Sequence, residues 1–255
     1  MKAVVLAGGK GTRLAPYTKI LPKPLMPIGD MPILEILMRQ MKRYGVDEVI
    51  LTVGHLAELM RAFFQDGERL GIKIAYSYED QPLGTAGPIS LIPGLDDTFL
   101  VSNGDVLTTL NLRDLVDYHK KKGAIATIAA HERNINIDLG VIYTNASYDI
   151  TGYVEKPTYN FYVSMGVYVF EPRILSYINH NEYLNLPDLI LRLIESGEKV
   201  ASYPYKDYWM DLGRVDDYEQ AIKDFERIKP LILGEMDDDE MDLSSNISTL
   251  ISPSK

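Results

Sequence analysis

The stretch that most constrains the fold is Ala3–Val4–Val5–Leu6–Ala7, an unbroken apolar run that passes straight into Gly8–Gly9–Lys10–Gly11. Apolar residues without alternation fit a strand buried on both faces, as at the centre of a parallel sheet. Three glycines in four positions then let backbone N–H groups close on a polyanion without interference from Cβ. Arg13 and Lys23 place two cations beyond the loop. Open α/β sheets bind ligands at this end of a strand, so the stretch reads as a phosphate cradle. It is neither a P-loop, since Lys10 precedes Gly11 and Thr12 follows it, nor a dinucleotide fingerprint, since Leu14 stands where the third Gly belongs.

The chain downstream continues this pattern. Pro32 followed by apolar residues at spacings of three and four predicts a helix over 32–44, closed by Gly45. A buried strand over 49–53, a helix over 56–64 and a strand over 72–77 complete β-α-β-α-β, the start of a doubly wound sheet. Gln81–Pro82–Leu83–Gly84–Thr85–Ala86–Gly87 reads as a loop opening a short helix, and a strand over 98–102 ends in Asn103–Gly104–Asp105. A helix over 112–122 and a strand over 124–130 follow. From residue 140 the pattern turns antiparallel, with strands at 140–144, 150–155 and 164–170 around a turn at Tyr148–Asp149. Then come a helix over 187–195, a strand over 200–205, a loop at 209–213 and a helix over 215–227. The expected class is α/β: three layers, α/β/α, around a Rossmann-like, mostly parallel mixed sheet, with an antiparallel part in the second half. Residues 1–229 read as one domain, nucleotide-binding to about 110 and acceptor-binding beyond. Residues 230–255 read as an acidic, flexible tail.

Composition removes several classes of function. A net charge of −10 argues against a nucleic-acid or membrane binder. The absence of cysteine excludes disulfides, thiolate metal sites and a Cys nucleophile. No apolar run approaches the roughly 20 residues that span a bilayer, and the default is a cytoplasmic protein. The four histidines, at 55, 119, 131 and 180, lack ligand spacing and read as structural or surface residues; the 17 tyrosines are given no role beyond packing.

Asp105, at a strand end after Gly104, can bind Mg²⁺, which takes one or two protein carboxylates and leaves its other positions to phosphate and water. A turn or helix-cap role is the alternative. Asp211, beside the only Trp, admits the same two readings. Glu155–Lys156–Pro157 closes a strand with an opposite-charge pair held extended by the Pro.

Together, Leu6–Ala7–Gly8–Gly9–Lys10–Gly11–Thr12–Arg13–Leu14 with Pro22–Lys23–Pro24, then Asn103–Gly104–Asp105, Glu155–Lys156–Pro157 and Trp209–Met210–Asp211–Leu212–Gly213, resemble the sugar nucleotidyltransferases in content and order. The resemblance covers residues 1 to about 229. It implies transfer of a nucleotidyl group from an NTP to a sugar 1-phosphate with release of pyrophosphate. Pro82–Leu83–Gly84–Thr85–Ala86–Gly87 and Lys23–Pro24–Leu25 look most like mannose-1-phosphate guanylyltransferases, implying GTP with mannose 1-phosphate or a related hexose or heptose phosphate. UTP, dTTP or CTP with another sugar or polyol phosphate is the alternative, and a noncatalytic NDP-sugar-binding regulator is a reading from a different class.

By the same resemblance, Asp105 and Asp211 hold Mg²⁺, Arg13 takes the β/γ-phosphates, and Lys23 takes the α-phosphate and sugar phosphate. Leu6, Ala7, Gly8, Gly9, Gly11, Thr12, Gln81, Leu83, Gly84 and Gly104 complete the nucleotide side. Gly140, Glu155, Lys156 and Ser164 complete the sugar-phosphate side. Ser164–Met165–Gly166 departs from the family's usual Asn-small-Gly. Many relatives continue into a left-handed β-helix, and no hexapeptide repeat is visible here. A second catalytic or allosteric domain is therefore not expected, and any regulation is expected from oligomerisation or the tail.

Overall fold

The computed structural model describes residues 1–79 and 81–234. The opening run forms β1 (Lys2–Leu6). Short 3-10 turns at Thr12–Leu14, Tyr17–Lys19 and Lys23–Leu25 carry the chain to a small hairpin of β2 (Pro27–Ile28) and β3 (Met31–Pro32). The glycine loop thus opens into 3-10 turns, and the first long helix, α1 (Ile33–Arg43), begins only after Pro32. Next come β4 (Glu48–Val53), α2 (Ala57–Phe64) and β5 (Lys73–Tyr78), then a 3-10 helix at Gly87–Leu91. β6 (Phe99–Asn103) and β7 (Val106–Thr108) flank Gly104–Asp105. The second half holds α3 (Leu112–Lys122), β8 (Ala126–Asn136), β9 (Val141–Thr144), β10 (Ile150–Val154), β11 (Thr158–Phe170), α4 (Leu186–Glu195), β12 (Val200–Tyr205), β13 (Trp209–Asp211) and α5 (Val215–Leu233).

Seven strands form one sheet in the order β12-β8-β11-β6-β1-β4-β5. β1 is parallel to both β4 and β6, and β4 to β5; β11 alone runs antiparallel, between β6 and β8. This is the expected mixed, mostly parallel α/β sheet. Val5 joins Leu34, Met38, Leu51 and Leu115 on one face, while Val4 joins Ile89, Phe99, Phe170 and Leu189 on the other. That two-sided burial is why β1 reads as a continuous apolar run. A third cluster packs Phe225, Ile228 and Ile232 of α5 on Leu14, Ile28, Ile33 and Ile36.

Four boundaries differ from the sequence reading. β8 and β11 run out to Asn136 and back from Thr158 as a long pair whose outer part is solvated on both faces, which erased the apolar signal. Residues 209–211, expected in a loop, form β13 and pair with β7. α5 continues six residues past 227 and four past the expected domain edge at 229. Arg43 explains the extension: its guanidinium donates to the Leu231 and Ile232 carbonyls at 2.9 and 3.0 Å, pairing carbonyls that a helix end leaves open. The expected acidic tail, from residue 235 on, lies outside the described residues. Among the described residues no helix is long and apolar enough to cross a membrane.

Candidate active site

The sheet order reverses direction at β1: β4 and β5 lie on one side of it, and β6, later in the chain, on the other. A crevice forms outside the strand ends at such a point. Here it is a cleft of about 740 Å³, and its lining includes residues 6–13 of the glycine loop. Gly8 meets Gly54, after β4, so closely that a Cβ on Gly54 would sit 3.2 Å from the Gly8 carbonyl. Gly11 adopts φ +61°, where a side chain is disfavoured, and its carbonyl accepts the Thr18 hydroxyl at 2.8 Å.

At one end of the cleft the charged residues converge. Lys23, nearly buried, pairs through Nζ with Oδ2 of Asp105. Asp211 arrives on β13, which pairs antiparallel with β7 so that Asp211 stands opposite Val106, and the Leu212 N–H donates to the Asp105 carbonyl at 3.0 Å. Burial pushes the Asp211 carboxyl above its usual range, and the negative charge of Asp105 adds to this; Lys23 and Arg13 pull it back. Arg13 is placed by Gly213, where a Cβ would stand 3.0 to 3.1 Å from the guanidinium. Residues 13, 23, 105 and 211, separated by up to 198 positions in sequence, therefore share one electrostatic neighbourhood.

The β7 segment is anchored from behind. Buried Gln40 of α1 donates from Nε2 to the Thr108 and Leu110 carbonyls at 2.8 and 3.1 Å, and the Thr108 hydroxyl donates to the Tyr208 carbonyl at 2.9 Å. Trp209 donates from Nε1 to the Met165 carbonyl at 3.0 Å, tying β13 to β11.

Of the residues expected to hold a nucleotide, 6–9, 11–13, Gln81, Gly84, Gly104 and Asp105 all line the cleft. Leu83 does not: its side chain is buried at 2% exposure, and it contributes a backbone N–H to Glu79 instead. The residues expected to hold a sugar phosphate are more dispersed: Lys23 lines the cleft, whereas Asp211 does not and is tied to it through the neighbouring Asp105. Gly140 packs against Tyr153 and Glu155, and the Tyr153 hydroxyl donates to Glu155 at 2.9 Å, on a part of the chain that does not line the cleft. Lys156 is exposed at φ +43°. Ser164 accepts the Gly166 N–H at 3.3 Å, and Gly166 in turn lies against Asn103, a lining residue.

The cleft also contains residues to which the sequence reading gave no part: Glu79, His55, Asn103 and Tyr183. The signal for His55 and Asn103 was positional, since His55 follows β4 and Asn103 ends β6, the two strands that flank β1.

No group of three or more acidic or histidine residues able to hold a metal occurs among the described residues. A divalent ion here would rest on Asp105 and Asp211, with substrate and water oxygens completing its shell, and this oxygen-only pair suits Mg²⁺.

The chain is similar to known proteins over most of its length. A family model described as nucleotidyl transferase matches residues 2–228. A UTP–glucose-1-phosphate uridylyltransferase of Synechocystis is 37% identical over 243 residues, with 88% of this chain and 63% of that protein covered. A mannose-1-phosphate guanylyltransferase of Mycobacterium tuberculosis is 33% identical over 233 residues, covering 88% and 64%. The crystal structure of HddC from Yersinia pseudotuberculosis superimposes with a TM-score of 0.68 at 25% identity, covering 88% of this chain and 99% of that one; HddC has also been solved with GMP-PN. The chain spans a little under two thirds of the length of these curated relatives.

Proposed function

The chain belongs to the nucleotidyl transferase family, and from that premise we propose that it joins an NTP to a sugar 1-phosphate, giving an NDP-sugar and pyrophosphate. The observation that carries the reading is the meeting of Arg13, Lys23 and Asp105 in a cleft lined by the glycine loop, with Asp211 within electrostatic reach of all three. An oxygen of the sugar phosphate attacks the α-phosphorus and pyrophosphate leaves in line. The nucleophile is already an anion, so the site needs no general base; it must align the substrates and neutralise charge.

Arg13, with its planar fork, is assigned to the β/γ-phosphates and the departing pyrophosphate. Lys23 is assigned to the α-phosphate and the incoming sugar phosphate, exchanging part of its contact with Asp105 for phosphate oxygens. Asp105 and Asp211 would hold Mg²⁺, which when bound supplies positive charge to the phosphoryl oxygens. Gly140, Glu155, Lys156 and Ser164 are assigned to the sugar-phosphate side on the motif match. The check on that assignment is a higher KM for the sugar phosphate, with the NTP KM unchanged, in Glu155→Ala and Lys156→Ala.

GTP with mannose 1-phosphate is the leading pair, supported by relatives named as guanylyltransferases at 33 to 34% identity. UTP with glucose 1-phosphate is the second reading, favoured by the Synechocystis relative. The deciding experiment is a matrix of five NTPs against several sugar 1-phosphates with Mg²⁺, followed by pyrophosphate release. Turnover of no pair would overturn the reaction; preference for a pair other than GTP with mannose 1-phosphate would overturn only the substrate assignment.

A further inference from the structure

β5 ends at Tyr78, and the next residue, Glu79, brings a carboxylate into the wall of the cleft. Its Oε2 accepts the backbone N–H of Leu83 at 2.8 Å, which fixes the carboxylate to the loop that follows. Its Oε1 lies over Gly8, where a Cβ would come within 2.8 Å of it. The strand order β6-β1-β4-β5 sets Asp105 and Glu79 beyond strand ends three positions apart. At about 4.8 Å per strand that is roughly 14 Å, comparable with the reach of a nucleotide from its α-phosphate to the far edge of its base. A nucleotide lying across the cleft with its phosphates on Arg13 and Lys23 can therefore reach Glu79 with its base.

A carboxylate is an acceptor only, with about four lone-pair positions, and Leu83 fills one of them. Burial pushes the Glu79 carboxyl above its usual range while the Leu83 N–H pulls it down, so the ionised group gains from each further donor. Among the common bases, guanine alone presents two adjacent donors, N1–H and the 2-amino group, on one edge. Uracil and thymine offer a single N–H flanked by two carbonyls, which would face a carboxylate oxygen with like charge. Adenine and cytosine set a ring-nitrogen acceptor beside their amino group.

We propose that Glu79 selects guanine by accepting its N1–H and 2-amino protons, an inference that rests on the reading of the cleft as an NTP site and identifies the side chain that sets its base preference. The test is calorimetric binding of GTP, ITP, UTP and ATP to the wild-type chain and to Glu79→Gln. Gln keeps an oxygen for the Leu83 N–H and so preserves the loop while removing the charge. ITP keeps N1–H and lacks the 2-amino group, so the wild-type protein alone already tests the contact. Wild type is expected to bind GTP roughly tenfold or more tighter than ITP, UTP or ATP, and Glu79→Gln to lose that preference. Equal wild-type affinity for GTP and UTP, or a full GTP preference in Glu79→Gln, would overturn the proposal. If guanine selection depends on Glu79 but no sugar 1-phosphate is turned over, base selection stands and the transfer reaction falls; if transfer proceeds with UTP as well as with GTP, the reverse holds.

Discussion

The backbone N–H of Leu212 donates to the carbonyl of Asp105 at 3.0 Å, so Asp105 and the segment carrying Asp211 are joined through main chain, and their carboxylates interact through charge. The carboxylate positions are thereby set by β7 and β13 rather than by flexible side chains. Asp211→Asn and Lys23→Ala should each lower turnover by more than about tenfold in a pyrophosphate-release assay, with far-UV circular dichroism unchanged. The two should differ in stability. The folded state raises the Asp211 carboxyl, so it disfavours the ionised form and loses stability at neutral pH; Asp211→Asn removes that penalty and should melt at or above the wild-type temperature.

Gly213→Ala tests the placement of Arg13 without changing any charge. The new methyl would stand 3.0 to 3.1 Å from the guanidinium, which is the far end of a flexible side chain and can move aside. Stability should stay within about 0.5 kcal/mol of wild type, while the NTP KM rises. An unchanged KM would separate Arg13 from phosphate binding.

Gln40 does not line the cleft, yet its side chain holds the carbonyls of Thr108, at the end of β7, and of Leu110 beyond it. Gln40→Ala leaves two buried acceptors short of a donor and should cost about 1–3 kcal/mol in urea unfolding. Turnover should fall with it, because β7 is the strand on which β13 aligns Asp211.

Acid stability should depend on Glu182. Hydrogen bonds from Arg192 and the Asn179 backbone pull its carboxyl down to about 2. A depressed carboxyl stabilises the fold above its unfolded pKa, and that contribution is lost as pH falls from roughly 4.5 toward 2. Glu182→Gln should therefore show a shallower fall in melting temperature across that window than wild type. A parallel fall in the two proteins would remove the pair from the acid transition.

The legible parts of the sequence were those encoded locally. Residues 3–7 announced a central strand because both faces of β1 are covered, and the three glycines in four positions marked the loop that lines the cleft. Glu79 left no such mark. Its place in the cleft depends on β5 pairing with β4 and on Gly8 lying alongside, 71 positions earlier. β13 was hidden for the same reason, since its three residues become a strand only by pairing with Val106–Thr108. The last turns of α5 were hidden by Pro230, a helix breaker in sequence, and the Leu231 and Ile232 carbonyls beyond it are paired by Arg43 at the end of α1.

The antiparallel pairing of β11 with β6 places Val167–Phe170 in direct register with residues of the nucleotide half, Ser102 to Phe99. The main-chain ladder is therefore continuous from β12 to β5, and the two halves have no seam along which to rotate. Any opening of this cleft would fall to the segments at its rim rather than to the sheet beneath them.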